Sequence, residues 1–403
     1  MMNKRTPTLR GFLAPLLALG LVAPQSSGTP GDASELEPLP TAASAARPDV
    51  AKLMRDAVQW LVSNQNPNGS WGSHHSPRPI EVMASVPGGH EAFRVATTAL
   101  CVIALEDSPY RPTEAQAAAA RGLDYLLDNY NVKRPNGFEF YNTWAIGYTL
   151  QCFGEWLGRK PDDPRAERIR AAVEHLIRKA DIYQTPQGGW GYLDFEAQTF
   201  KPSWAYMSFT TATMLVGLAR VRDQGIEIPA HILDKGMRAI ERSRTPEGNY
   251  LYGDYLRYRP RMGINQDKGS ACRTPLCQYT MQLYGHEVSL AERRRALDDL
   301  LVNTTDFQRI ASRRPIPHES WYQISGYFYL YGHAYAAYVL EQMPEEDQQR
   351  LWPAMVDALT HCHQPDGSFW DYPLYSYHKP YGTAFALMTL ARVPQSTVEK
   401  GPS

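Results

Sequence analysis

Residues 163–221 read DPRAERIRAAVEHLIRKADIYQTPQGGWGYLDFEAQTFKPSWAYMSFTTATMLVGLARV and hold one complete repeat of the fold. From Ala166, AERIRAAVEHLIRKA alternates charged and apolar residues at helical period, which gives a helix one wet and one dry face. From Trp204, WAYMSFTTATMLVGLARV is apolar or small on every side and uncharged until its end, the pattern of a helix buried all round. Between them, Gln184-Thr-Pro-Gln-Gly-Gly-Trp190 is turn chemistry: proline presets φ and glycine supplies a positive φ.

The unit recurs. Wet helices are expected to start near Asp49, Thr113, Asp163, Pro229, Ser289 and Pro344. Thr113…Gln116 and Ser289…Glu292 read as capping boxes, and Asp163-Pro164 as a cap followed by proline at the first helical position. Dry helices start near Ala92, Phe140, Trp204, Thr274, Ile324 and Lys379 and are rich in Ala, Gly, Thr and aromatics. Six such pairs predict an all-α (α/α)6 toroid over residues 49–394, six parallel inner helices inside six outer ones, with 395–403 as a tail. An open helical solenoid is the alternative, but its inner row would keep more charge on the concave face.

Ahead of the repeats, Lys4, Arg5 and Arg10 flank the apolar run Gly11 to Ala23, which is short for a membrane span and has the form of a secretory signal. The reading is a signal peptide over 1–28, a Pro/Ala/Ser-rich linker over 29–48, and an exported (periplasmic or extracellular) chain without a transmembrane helix in its mature part. Lys+Arg of 41 against Asp+Glu of 42 argues against a nucleic-acid partner. An apolar content of 43% excludes wholesale disorder. With 24 Tyr, 9 Trp and 12 Phe, the chain has polar-tipped aromatic surface to place, a hint of an aromatic cavity. Five cysteines make an odd count; Cys272 and Cys277 are near enough in sequence to bridge, and buried thiols are the other reading. No paired C-x-x-C or H-x-x-x-H spacing marks a zinc site, and neither a metal nor another cofactor is called for.

The turn recurs as NQNPNGSWG ending at Gly72, QTPQGGWGYLD over 184–194, RTPEGNYLYGDY over 244–255 and HQPDGSFWDYPLY over 363–375, with a weaker copy, RPNGFEFYN, over 134–142. Repetition assigns Trp71 and Trp190 to packing against the preceding outer helix. The kernel, Gln/Arg-x-Pro-x-Gly-x-aromatic, resembles the QW motif of squalene/oxidosqualene cyclases and the repeats of protein prenyltransferase β-subunits. The resemblance covers nearly the whole mature chain and implies one toroid of that type, where triterpene cyclases have two. Those cyclases place a D-x-D-D acid just before a Thr-Ala pair. Here Thr98-Ala99, Thr211-Ala212 and Thr383-Ala384 follow RVAT, MSFT and KPYG, none with a carboxylate, and D-C-T-A-E is also absent. The Asp, Cys and His that hold zinc in prenyltransferases have no counterpart in GYFYLYGHAY or HKPYGTAFAL, and the lone His333 and His378 do not make a site. G-C-G-E-Q of thioester domains is missing too.

The inner-helix N-termini share one mouth, where helix dipoles favour a polar or anionic head group. Loop 253–275 brings Arg257, Arg259, Arg261, Lys268 and Arg273 to that end, with Asp254 and Asp267. Asp371, Asp254, Asp194 and Glu319 are the candidate proton-transfer residues, because the middles of the inner helices offer no carboxylate; Asp371, Asp194 and Glu319 lie just upstream of an inner helix and Asp254 on loop 253–275. Tyr141, Trp144, Trp204, Tyr206, Tyr327, Tyr331, Tyr381, His378 and Arg273 are the candidate ligand contacts, and His333 reads as a core residue. Aromatic faces there steady a cation or stack on sugar. Three functions remain open: a monomeric toroid that binds, or cyclises or otherwise converts, an isoprenoid-like lipid; a non-catalytic module for a small hydrophobic or amphipathic ligand; and a carbohydrate-active lyase or hydrolase. Fold alone does not choose among them.

Overall fold

Asp49 starts the fold: its side chain accepts the Lys52 N–H at 2.9 Å and caps α1, Val50–Ser63. The computed structural model describes residues 48–73, 90–133, 141–192, 204–303, 318–319, 324–325, 328–372 and 376–394. The expected signal, linker and C-terminal tail lie outside them. The helices that follow are α2 (Glu91–Asp107), α3 (Thr113–Asn129), α4 (Asn142–Arg159), α5 (Ala166–Tyr183), α6 (Ser208–Arg222) and α7 (Ala230–Ser243). The second half continues with α8 (Thr274–Leu283), α9 (Leu290–Leu301), α10 (Tyr329–Leu340), α11 (Glu345–Thr360) and α12 (His378–Leu390).

Odd-numbered helices form the outer ring and even-numbered ones the inner. α5 buries Ile169, Ala172, Val173, Leu176, Ile177 and Ala180, the i, i+3, i+4 stripe of an amphipathic helix. By contrast, every residue of α10 is buried, as is every residue of α6 except Arg220 and Arg222. Each inner helix packs on the next, and α12 returns to α2, so the inner ring closes. Each outer helix lies on the inner helix before it, with α1 on α12. The α4–α6 contact is the closest: a Cβ on Gly217 would stand 2.4 Å from the Gly147 carbonyl oxygen, so only glycine fits.

Two caps differ from the sequence reading. Thr113 is the first helical residue of α3, behind Pro112, and its side chain makes no cap. Asp163 accepts the Arg165 N–H at 2.9 Å in a preceding turn, and α5 begins only at Ala166. Ser289 and Glu292 do form the reciprocal capping box. Among the described residues the only sheet is a two-residue antiparallel pair, His318–Glu319 with Ile324–Ser325. All five cysteines are buried and free, so Cys272 and Cys277 do not bridge. No described helix is long and apolar enough to cross a membrane.

The repeated turns are joints in three directions. Gly69, Gly188, Gly248 and Gly367 all adopt φ between 84° and 101°. Trp71 Nε1 donates to the Leu61 carbonyl (2.8 Å) and Trp190 Nε1 to that of Ala180 (2.7 Å), tying each turn back to its own outer helix. The leading residue reaches forward: Gln65 to the Ala118 carbonyl on α3, Gln184 to Ile232 on α7, Arg244 to Glu292 on α9, and His363 to Asp56 on α1. Inward, the backbone N–H groups of Trp71, Trp190 and Phe369 donate to Thr98, Thr211 and Thr383. The Thr of each Thr-Ala pair is therefore a turn anchor.

Candidate functional site

Helical spacing lines the axis with four stripes: Trp144, Tyr148, Gln151 and Glu155 on α4; Phe209, Thr213 and Arg220 on α6; Phe328, Tyr331, Tyr335 and Tyr338 leading into and along α10; Tyr381 and Phe385 on α12, with Arg392 beyond its end. The ring order sets α4 opposite α10. Trp144 and Tyr331 meet across the lumen with centroids 6.2 Å apart, edge to face. Phe209 stacks on Trp144 (5.9 Å), and Phe385 approaches Tyr331 (5.7 Å) and Tyr148 (6.2 Å). The Tyr331 hydroxyl donates to the Phe209 carbonyl (3.3 Å) and shares a hydrogen bond with Thr213 Oγ1 (3.1 Å). Burial pushes the Tyr148, Tyr331 and Tyr335 phenols well above their ordinary pKa, so they stay neutral.

Below this barrier the lumen ends in charge. Arg159 donates to the Glu106 carbonyl at 2.6 Å and pairs with Asp107. Arg392 pairs with Asp107 (3.0 Å) and lies 3.8 Å over the Tyr338 ring. Arg220 pairs with Glu155 (3.5 Å) and donates to the Tyr279 hydroxyl. These cations sit where the inner helices present their negative C-terminal ends. Burial, opposed by Arg220 and Arg159, leaves Glu155 above the usual carboxylate range. The sequence reading missed this floor, although its signal was there: Glu106-Asp107, Glu155, Arg159, Arg220 and Arg392 recur at inner-helix ends.

The upper end receives some of the expected contacts. Tyr141, half-buried before α4, meets Phe93 at 4.7 Å and Tyr192 at 4.9 Å. Tyr381 lies 4.9 Å from His378 and 5.9 Å from Phe385. His378 Nδ1–H donates to the Tyr372 carbonyl (3.1 Å), and burial lowers its pKa to about 3, so a neutral imidazole stands there. His333 is a core residue: Nδ1–H donates to the Tyr329 carbonyl (2.7 Å), and burial lowers its pKa to about 4.

Other candidates face elsewhere. The Tyr206 hydroxyl donates to the Ala239 carbonyl on α7 (3.0 Å), so its tip points between the rings and not into the lumen. Arg273 is buried and spends its guanidinium on the carbonyls of Tyr250 (2.9 Å), Gly269 (2.6 Å) and Ile264; it is a loop clamp and not a ligand anchor. Trp204 is an exposed surface residue beside Tyr255. Asp371 is fully buried, and its Oδ2 accepts the Leu330 N–H at 3.0 Å, capping the inner helix α10. Burial raises its pKa to about 7 against its backbone hydrogen bonds. Asp254 is buried at the mouth end, 3.6 Å from Arg257. Asp194, Tyr327 and the Glu319 side chain lie outside the described residues. No group of three or more metal-ligating side chains occurs among the described residues.

No family model matches the chain. A lanosterol synthase of Aspergillus fumigatus is 26% identical over 222 residues, 49% of this chain but only 27% of that protein. A type II terpene cyclase from Scytonema, solved with its product merosterolic acid A, superposes with a TM-score of 0.50 at 16% identity, over 85% of this chain and 96% of its own. An α-1,6-mannanase of Salegentibacter, solved with α-1,6-mannotetrose, gives 0.53 at 7% identity, over 86% and 100%. The fold is a terpenoid cyclase-like (α/α)6 toroid, and the matched stretch spans under a third of the curated relative's length.

Proposed function

We propose that this toroid is an exported monomer that holds an isoprenoid-like lipid in the aromatic upper half of its lumen. The observation that carries the reading is the aromatic cluster across the ring: Trp144, Phe209, Tyr331 and Phe385, from four inner helices, meet at the axis, and the stripes just described carry no carboxylate at that level. An apolar tail is accepted there, while an ion would be desolvated without compensation. The inner-helix N-termini at the mouth favour a polar head group. Binding is the primary activity. If the lipid is also converted, the acid comes from the mouth end, where Asp254 is buried beside the α6 entry; Asp371, committed to the α10 backbone, positions that helix.

Calorimetric titration with geranylgeraniol and with a mannose tetrasaccharide tests the reading, on the wild type and on Phe385→Ala. Saturable heat with the lipid alone, weakened in the variant, is expected; saturation by the sugar alone would overturn it. N-terminal sequencing of the fractionated protein tests export, which an intact Met1 in the cytoplasm would end.

A further inference from the structure

The joint that closes the ring lacks a side chain that the other described joints share. In those joints an arginine of the next outer helix donates into the repeated turn. Arg121 of α3 donates to Gln65 Oε1 (3.0 Å), Arg242 of α7 to the Gln187 carbonyl, and Arg295 of α9 to the Glu247 carbonyl. Arg295 shows the fit: its Nη2 lies 2.8 Å from where a Cβ on Gly248 would stand, so the guanidinium rests on the turn glycine.

Where the last turn meets α1 this is reversed. A Cβ on Gly69 would stand 2.5 Å from the Arg121 carbonyl oxygen and one on Gly188 2.5 Å from that of Lys235; on Gly367 it would stand 3.2 Å from that of Asp56. Asp56 thus occupies the place of a base, and its helix stands farther from the turn. Among the described residues no basic side chain of α1 donates into this turn, and a 540 Å³ cleft opens beside Gly367. Its lining on α1 runs from Lys52 to Asn64, about 18 Å at the rise of a helix.

We infer that this cleft binds an arginine side chain carried on an extended peptide segment, which spans its length with about five residues. The guanidinium takes the place over Gly367 that Arg295 takes over Gly248, bonded to the Asp366 carbonyl and paired with Asp56. Gln59, Ser63 and Asn64 line the rest and supply polar groups for the flanking peptide. The charges at the cleft balance: Asp56 and Asp366 against Lys52 and Lys379, with His363 held below its ordinary pKa by burial and neutral at pH 7. Lys379 stays, bonded to Asp366 at 2.5 Å with its Nζ 5.6 Å from the Trp60 ring centre and 5.4 Å from that of Trp370. Lys52 is the cation that yields. Its side chain is 60% exposed, and its pair with Asp56, one turn along the same helix, is worth little. A guanidinium replaces it with advantage, because its planar fork serves carboxylate and carbonyl together.

The test is calorimetric titration of the full chain with the peptide acetyl-Gly-Gly-Arg-Gly-Gly-amide, with its citrulline counterpart and with arginine amide. Saturation by the arginine peptide is expected. Citrulline, isosteric but uncharged, should weaken it about tenfold, and arginine amide should bind less tightly than the peptide. Asp56→Arg, which supplies the residue type of the other joints, should fill the cleft and abolish binding. Asp56→Asn should weaken it about tenfold, and Lys52→Gln, which removes the competitor, should strengthen it. Phe385→Ala, in the lumen, should leave it unchanged, so this proposal and the lipid reading fail separately. Equal melting temperatures show that each variant is folded. Unchanged binding in Asp56→Arg, equal binding of the citrulline peptide or of arginine amide, or no saturation by any of the three would refute the proposal.

Discussion

Trp144 and Tyr331 close the lumen from opposite sides of the ring, edge to face at 6.2 Å. Among the described residues the axis thus carries an aromatic layer with a charged foot at the inner-helix C-termini. The pair should behave as one unit. A double-mutant cycle of Trp144→Ala and Tyr331→Ala, read by urea unfolding, is expected to give a coupling of about 0.5–1.5 kcal/mol. Tyr331→Phe, which keeps the ring but loses the hydroxyl's bonds to Phe209 and Thr213, should cost about 1 kcal/mol.

Trp190 is fully buried, and its indole N–H is bonded to Ala180. Trp190→Ala should cost about 3–5 kcal/mol, since the turn loses both packing and its tie to α5. An unchanged melting temperature would show that the turn aromatic is not packed.

Asp371 gives a pH signature of definite sign. Its folded pKa, about 7, lies above the ordinary carboxylate value, so the folded state prefers the protonated acid. Its contribution is fully present below about pH 4 and is lost as pH rises through 7. Asp371→Asn, which can still accept the Leu330 N–H, should therefore stabilise the protein at pH 8 with a ceiling of about 4 kcal/mol, and do little at pH 4. Urea midpoints at the two pH values check it.

His363 makes the forward contact that closes the ring, to Asp56 on α1 at 3.3 Å. Burial, seconded by Lys52, holds its pKa below the ordinary value although Asp56 pulls upward. The stability it supplies is present above about pH 6.5 and is lost as pH falls below that. Gln65 and Gln184 fill the equivalent position in other turns, so His363→Gln should keep the joint and flatten the acid limb of the stability profile. A limb as steep as the wild type's would remove His363 as its source.

Helix starts were legible because wet helices carry both period and punctuation: Ser289 with Glu292 marks α9 to the residue, and α7 begins one residue after Pro229. The site was legible only by level. Position upstream of an inner helix fixes which end of the barrel a residue occupies, but not which way it turns. Tyr206 therefore reached the right end but turns toward α7, and Asp371 reached it but is taken up by the α10 backbone. Tyr148 and Tyr335 were missed although they follow Trp144 and Tyr331 by four residues, one helical turn along the same stripe.

The central claim concerns where a lipid sits, and photo-crosslinking tests it most directly. A diazirine-bearing isoprenoid alcohol, irradiated with the full chain and mapped by peptide mass spectrometry, should label Trp144, Phe209, Tyr331, Tyr381 and Phe385. Unlabelled geranylgeraniol should suppress that labelling, and a mannose tetrasaccharide should not. Label confined to outer-ring residues, such as those of the 540 Å³ cleft between Trp60 and His363, would contradict the account.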